Sequence, residues 1–189
     1  MKKRRTLIIS LLLIAALCLG IGYAALGRDL QINGSANLQG NNENFDIVFT
    51  SGSAKNNMAT VTVAEGTTTA SYVIDGLSKI GDEEVITFTI KNRTTDIDAK
   101  LKGITSTTGE LKVTNSDGTD TTVPYESYFT KKMVITNSDG QTYDAKGTEA
   151  FIVGPNETAT VTITITLIKS VTDPVSASSF IAFHFDGIN

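Results

Sequence analysis

Between Ala159 and Leu167 the chain reads Ala-Thr-Val-Thr-Ile-Thr-Ile-Thr-Leu, a strict two-residue alternation. A strand turns successive side chains to opposite faces, so Val161, Ile163, Ile165 and Leu167 share one face and Thr160, Thr162, Thr164 and Thr166 the other. Wound as a helix, the same residues would scatter the apolar groups around the axis. The segment therefore reads as a half-buried strand, with its aliphatic face on a core. The pattern recurs along the chain. Leu30, Ile32, Ala36 and Leu38 share a parity; Phe45, Ile47 and Phe49 follow, then Val61 and Val63, then Tyr72 and Ile74. Residues 84–90 set Ile86, Phe88 and Ile90 against Val85, Thr87 and Thr89, and the last run sets Ile181, Phe183 and Phe185 against Phe180, Ala182 and His184. Threonine, at 28 of 189 residues, supplies most of the outward positions, and β-branched side chains suit a pleated surface. One-sided strands of this kind belong to antiparallel sheets, and two such sheets face to face make a sandwich. The expected fold is all-β: an antiparallel, jelly-roll-like β-sandwich.

Turn signals separate the runs: Asp75-Gly76, Gly81-Asp82, Asp117-Gly118, Asp139-Gly140 and Gly154-Pro155-Asn156. Asp-Gly suits type I′ hairpins, which need positive φ. Val113-Thr-Asn-Ser-Asp-Gly118 is echoed by Ile135-Thr-Asn-Ser-Asp-Gly140, which reads as two hairpins sharing one turn chemistry. Neither copy has the alternating acidic ligands and distal glutamate of a calcium loop. The one plausible helix is 125–133, where Tyr128, Phe129 and Met133 can share a face. The acidic cluster Asp82, Glu83 and Glu84 reads as a solvated turn before a strand.

The N-terminus has a different character. Residues 2–5 are all basic, and 7–26 form an apolar run broken only by Ser10, Gly20 and Gly22. Gly22-Tyr23-Ala24 then places small residues where a signal peptidase inspects them, so cleavage is expected between Ala24 and Ala25. If uncleaved, the same stretch is long enough to anchor the protein in a membrane. Cys18 follows Leu17, where a lipobox needs a small residue, so lipidation is not expected. Residues 1–24 thus read as a signal peptide, 25–38 as a separate N-terminal strand, and 39–189 as the sandwich. The expected localisation is secreted, extracellular or at the cell surface. The sequence shows no second hydrophobic tail and no L-P-x-T-G motif, so covalent anchoring after cleavage is not expected.

Composition narrows the chemistry. Without its four N-terminal basic residues the chain keeps 12 basic against 20 acidic groups, a poor match to a phosphate backbone, so nucleic acid is not an expected partner. A single histidine rules out the H-E-x-x-H pair, and no G-x-S-x-G or phosphate loop appears. His184 falls on the outward parity of the last strand and reads as a surface residue. Asn33-Gly-Ser, Asn92-Arg-Thr and Asn156-Glu-Thr match the glycosylation triplet, which arises often by chance in a threonine-rich chain. No catalytic residue, cofactor or metal ligand is expected, and the chain does not read as an enzyme.

Several motifs carry a resemblance. Leu19-Gly-Ile-Gly-Tyr-Ala-Ala-Leu26 runs into a segment with Leu30, Ile32 and Gly34. Tyr72-Val-Ile-Asp-Gly-Leu-Ser-Lys-Ile-Gly-Asp82 precedes Val85-Ile-Thr-Phe-Thr-Ile-Lys-Asn92, then Asp96-Ile-Asp-Ala-Lys-Leu-Lys-Gly-Ile104, and the chain closes on the strands at 158–167 and 179–186. In order and layout these resemble the TasA/camelysin proteins, secreted fibre subunits of Gram-positive biofilm matrices. The chain lacks that family's long middle insertion and charged C-terminal tail. Camelysin-type members have been classed as peptidases, but this sequence has no histidine pair for that role. The resemblance implies a jelly-roll-like subunit whose N-terminal segment completes the sheet of the next subunit, building a homopolymer head to tail. Other matrix or surface components are possible partners, and the membrane is met only through the N-terminal segment before cleavage. On this reading 25–38 is the donor strand, lying outside its own domain's core, with Leu30, Ile32, Ala36 and Leu38 docking into a neighbour; the other reading of the segment is the first strand of its own sandwich. The alternative is a tethered surface β-sandwich that binds a glycan or protein.

Overall fold

The computed structural model describes residues 30–40, 46–109, 111–114, 117–143, 151–170 and 175–188. The cleavage residues Ala24 and Ala25, the N-terminal apolar run and Phe45 lie outside them. The strands are β1 (Leu30–Gly40), β2 (Ile47–Ala54), β3 (Ala59–Val63), β4 (Thr69–Ile74), β5 (Glu83–Asn92), β6 (Asp98–Thr108), β7 (Leu111–Thr114), β8 (Asp120–Val123), β9 (Phe129–Asn137), β10 (Thr142–Tyr143), β11 (Phe151–Val153), β12 (Thr158–Leu167) and β13 (Val175–Ile188). They form two sheets. One runs β11-β6-β13-β1-β4-β3, with β7 on β13 and β8 on β7; the other runs β10-β9-β12-β5-β2. The chain crosses repeatedly between the sheets, and their facing sides enclose one core. Among the described residues no helix is long and apolar enough to cross a membrane.

The alternation holds where it was clearest. Val161, Ile163, Ile165 and Leu167 on β12, and Ile86, Phe88 and Ile90 on β5, are all fully buried, while their threonine neighbours are only partly covered. These two strands pair antiparallel from Thr158 opposite Lys91 to Thr166 opposite Glu83, so the aliphatic faces coincide in register. The aromatic centre is Phe88, with Phe49 at 5.6 Å and Tyr72 at 6.4 Å between ring centroids. The pairing is not wholly antiparallel: β1 runs parallel to β13, joining the first described strand to the last.

Three sequence expectations are corrected. Residues 125–133 are not a helix. Only Tyr125–Ser127 makes a 3-10 turn, and from Phe129 the chain extends along β12 as β9. Nine register pairs with a strand whose aliphatic face is fully buried outweigh a weak helical pattern. The echoed Asp-Gly segments do form hairpins, β7–β8 and β9–β10, but the second is not type I′. Gly140 N–H donates to the Asn137 carbonyl at 3.0 Å and Gly140 alone has positive φ, +78°. That is a type I turn closed by a glycine bulge.

Glu84 is the third correction. Asp82 is partly covered and Glu83 exposed, but Glu84 is fully buried. Its parity is that of Ile86 and Phe88, so the strand turns it inward. Its carboxylate accepts backbone N–H bonds from Asn56 at 2.9 Å, Met58 at 2.6 Å and Val85 at 2.9 Å. The charge thus ties the β2–β3 turn to β5. Glu84→Ala strands those donors and should cost about 2–3 kcal/mol, with Glu84→Gln costing less because one amide oxygen still accepts. Urea melts check the order, and faster proteolysis at residues 55–58 should accompany the alanine variant. Asp82 acts on a smaller scale. Slight burial works to raise its carboxyl, but the N–H groups of Ser78 and Lys79 at 2.8 Å more than offset this and hold it below the usual carboxylate range.

Candidate assembly site

β1 separates two strands that do not otherwise pair, β13 and β4. Along β13 it makes eleven parallel register pairs, from Leu30 opposite Val175 to Gly40 opposite Phe185. Along β4 it makes six antiparallel pairs, from Ile32 opposite Ile74 to Asn37 opposite Thr69. The four expected docking residues fall on one parity of this strand. Leu30 and Ile32 occupy its leading end by register, while Ala36 and Leu38 are buried at 0% and 4% exposure. The expectation that this segment stands outside its own domain's core is not met: β1 is an interior strand of its own chain's sheet. A strand with apolar alternation and two free rows of N–H and C=O groups is stabilised wherever both rows are paired, and the chain's own sheet pairs them.

The middle of the strand carries a feature that hydropathy alone does not reveal. Gly34 lies opposite Tyr72 on β4 and Ser179 on β13. A Cβ at Gly34 would stand 1.9 Å from Tyr72 Cζ, so the phenol ring occupies the space a side chain would need. Tyr72 is 1% exposed, and through Phe88 it belongs to the aromatic centre. Gly34 is therefore a notch that seats β1 in register under the ring. A glycine inside a strand pattern is the available sequence signal for such a close approach.

Beside the notch lies a polar pocket between the sheets. Lys131 sits on the inward parity of β9, between Phe129 and Met133. Its ammonium donates to Ser106 Oγ at 2.6 Å and Ser179 Oγ at 3.1 Å. Burial lowers its pKa, partly offset by the Glu126 carboxylate. Among the described residues the buried hydroxyls of Tyr72 and Tyr125 have no hydrogen-bond partner; Ser179 stands near the first without completing a bond. Burial pushes both phenols up; the nearby Ser179 hydroxyl partly offsets this at Tyr72, while Tyr72 and Glu126 raise Tyr125 further.

Other candidates resolve differently. His184 Nε2 lies 3.0 Å from Thr105 Oγ1 on the outer side of β13, a surface pairing. Asn92 is fully buried and its amide donates to the carbonyls of Ile97 at 2.8 Å and Val153 at 3.1 Å, so its glycosylation triplet is blocked by packing. Asn33 and Asn156 are exposed. Among the described residues no group of three or more His, Cys, Asp or Glu could hold a metal ion.

No protein-family model and no curated protein matches this chain. Among solved structures it is similar to a family 123 glycoside hydrolase from Clostridium perfringens, described for glycolipid glycan hydrolysis, at 11% identity and a TM-score of 0.24. The match covers 56% of this chain and 21% of the hydrolase, and a likeness so distant carries no argument about activity.

Proposed function

We propose that this protein is a secreted structural subunit that polymerises into extracellular fibres by passing β1 into the sheet of a neighbour. The observation that carries the reading is the position of β1, an N-terminal strand filling a slot between β13 and β4. When the strand is withdrawn, the slot exposes one backbone row on each side, a template for an equivalent strand from another copy. Exchange replaces every contact with an identical one, so it conserves the pairing energy. The chain between β1 and β2, Asn-Asn-Glu-Asn-Phe-Asp at 41–46, is polar and short, spanning at most about 20 Å when extended. The resemblance to TasA/camelysin proteins supports the same reading.

Charge substitutions at Leu30 and Ile32 do not discriminate, because an interior strand is needed for folding whichever chain supplies it. A disulfide does. Ser35 on β1 is the register partner of Ser71 on β4, and directly opposed antiparallel residues lie within the Cα separation a disulfide spans. The chain's single cysteine, Cys18, lies ahead of the expected cleavage point. In secreted Ser35→Cys/Ser71→Cys protein, oxidised after assembly, non-reducing gels should show a ladder of covalent oligomers. A single dimer band would mean closed reciprocal exchange and would refute a fibre. No change in mass would mean that β1 stays in its own sheet.

A further inference from the structure

The pocket beside Lys131 has a composition that plain structural packing does not require. It is a cleft of about 390 Å³ where the 3-10 turn crosses from one sheet to the other, bounded by Ser106, Thr108, Tyr125, Glu126, Phe129 and Lys131. Its chemistry is unbalanced toward donors. The Lys131 ammonium meets two serine hydroxyls and, among the described residues, no carboxylate within 4.0 Å. Two bonds leave one of its three N–H groups unused. The Tyr125 hydroxyl is buried, with its residue 2% exposed, and has no partner among the described residues. The serines that accept from Lys131 keep their own protons to donate. The one acceptor of note, Glu126, stands exposed at the cleft and takes a hydrogen bond from Thr108 at 3.1 Å.

We propose that this cleft is a binding site for a small organic monocarboxylate, its carboxylate held by the Lys131 ammonium and the Tyr125 hydroxyl and its hydrocarbon part set against Phe129. A water molecule could satisfy the tyrosine alone, whereas a carboxylate also meets the spare N–H of the half-buried Lys131 ammonium, which Glu126 influences across the cleft without forming a salt bridge. The volume lies within the range of small-molecule sites and exceeds what a bare ion fills. Glu126 at the rim repels a second negative charge, which selects a monoanion. The phenyl ring of Phe129 and the body of Tyr125 offer an apolar wall, their centroids 5.2 Å apart. The inward parity of Lys131 is then explained: a lysine placed toward the core for packing alone would be better replaced by methionine.

The test is a chemical-shift titration of the secreted protein at constant ionic strength, with sodium butyrate and inorganic phosphate as separate probes. Butyrate should give saturable shifts centred on Tyr125, Phe129 and Lys131. Lys131→Met, which keeps length and removes charge, should weaken binding by more than tenfold. Tyr125→Phe removes one unpartnered hydroxyl and keeps the ring, so it folds even if the lysine variant does not. It should weaken binding by about tenfold. Absence of saturable shifts with butyrate overturns the proposal, as does butyrate binding that is unchanged in these variants. Phosphate binding without butyrate binding overturns the monocarboxylate assignment.

Discussion

Gly34→Ala should unseat β1, lowering the stability of the folded chain by about 3 kcal/mol or more. The added methyl would stand 1.9 Å from Tyr72 Cζ and 2.3 Å from both Cε atoms. The ring cannot swing aside into solvent, because Tyr72 is 1% exposed and is packed against Phe88. Ordinary overpacking costs about 1–3 kcal/mol, and a clash across a whole ring lies at or above the top of that range. A double-mutant cycle in urea isolates the cause. Tyr72→Ala opens the space, so Gly34→Ala on that background should cost far less than in the parent. Additive losses would show that the notch is not what seats the strand. Under the proposed function the same variant has a second signature. Mixed in small amounts with parent subunits, it offers a slot but no competent donor, and fibre length by electron microscopy should shorten.

Phe88→Ala should cost about 3–5 kcal/mol, against ~1 kcal/mol or less for Thr87→Ala one position earlier. Phe88 is fully buried and joins Phe49 to Tyr72, so truncation leaves a cavity at the point where the sheets meet. Thr87 faces outward opposite Thr162, where alanine loses only strand preference and a cross-strand contact. Equal shifts of the urea midpoint in the two variants would contradict the assignment of faces.

These two positions also show what was legible in the chain. Parity alone separates Phe88 from Thr87 and Ile163 from Thr162, because a two-residue period admits one inward set and the fold must bury it. Parity also turned Glu84 and Lys131 inward. Hydropathy argued otherwise, since a charged group is expected in water, and the local pattern does not show what receives it. The receivers are distant in sequence: the turn around Asn56 and Met58 for Glu84, and Ser106 and Ser179 for Lys131. Tyr72 and Gly34 meet only because β1 pairs with β4, so the glycine reads as a motif letter until the register is known. The segment at 125–133 misleads for the opposite reason. Its aromatic spacing suits a short helix, and the pairing with β12 that overrides it lies some thirty residues away. The slot itself, first strand parallel to last, depends on topology, which no local pattern encodes.

The direction of β1 has a mechanical consequence. Its Gly40 end leads through the short 41–46 connection to β2. If β1 is exchanged as proposed, tension between a subunit body and the sheet holding its strand would pull β1 along its own axis. The hydrogen bonds on both flanks then bear force in shear and must fail together, whereas a strand peeled sideways gives way one pair at a time. With eleven pairs on one flank and six on the other, such a joint would resist stretching along the strand axis. A filament built this way would be hard to break by drag in flowing liquid.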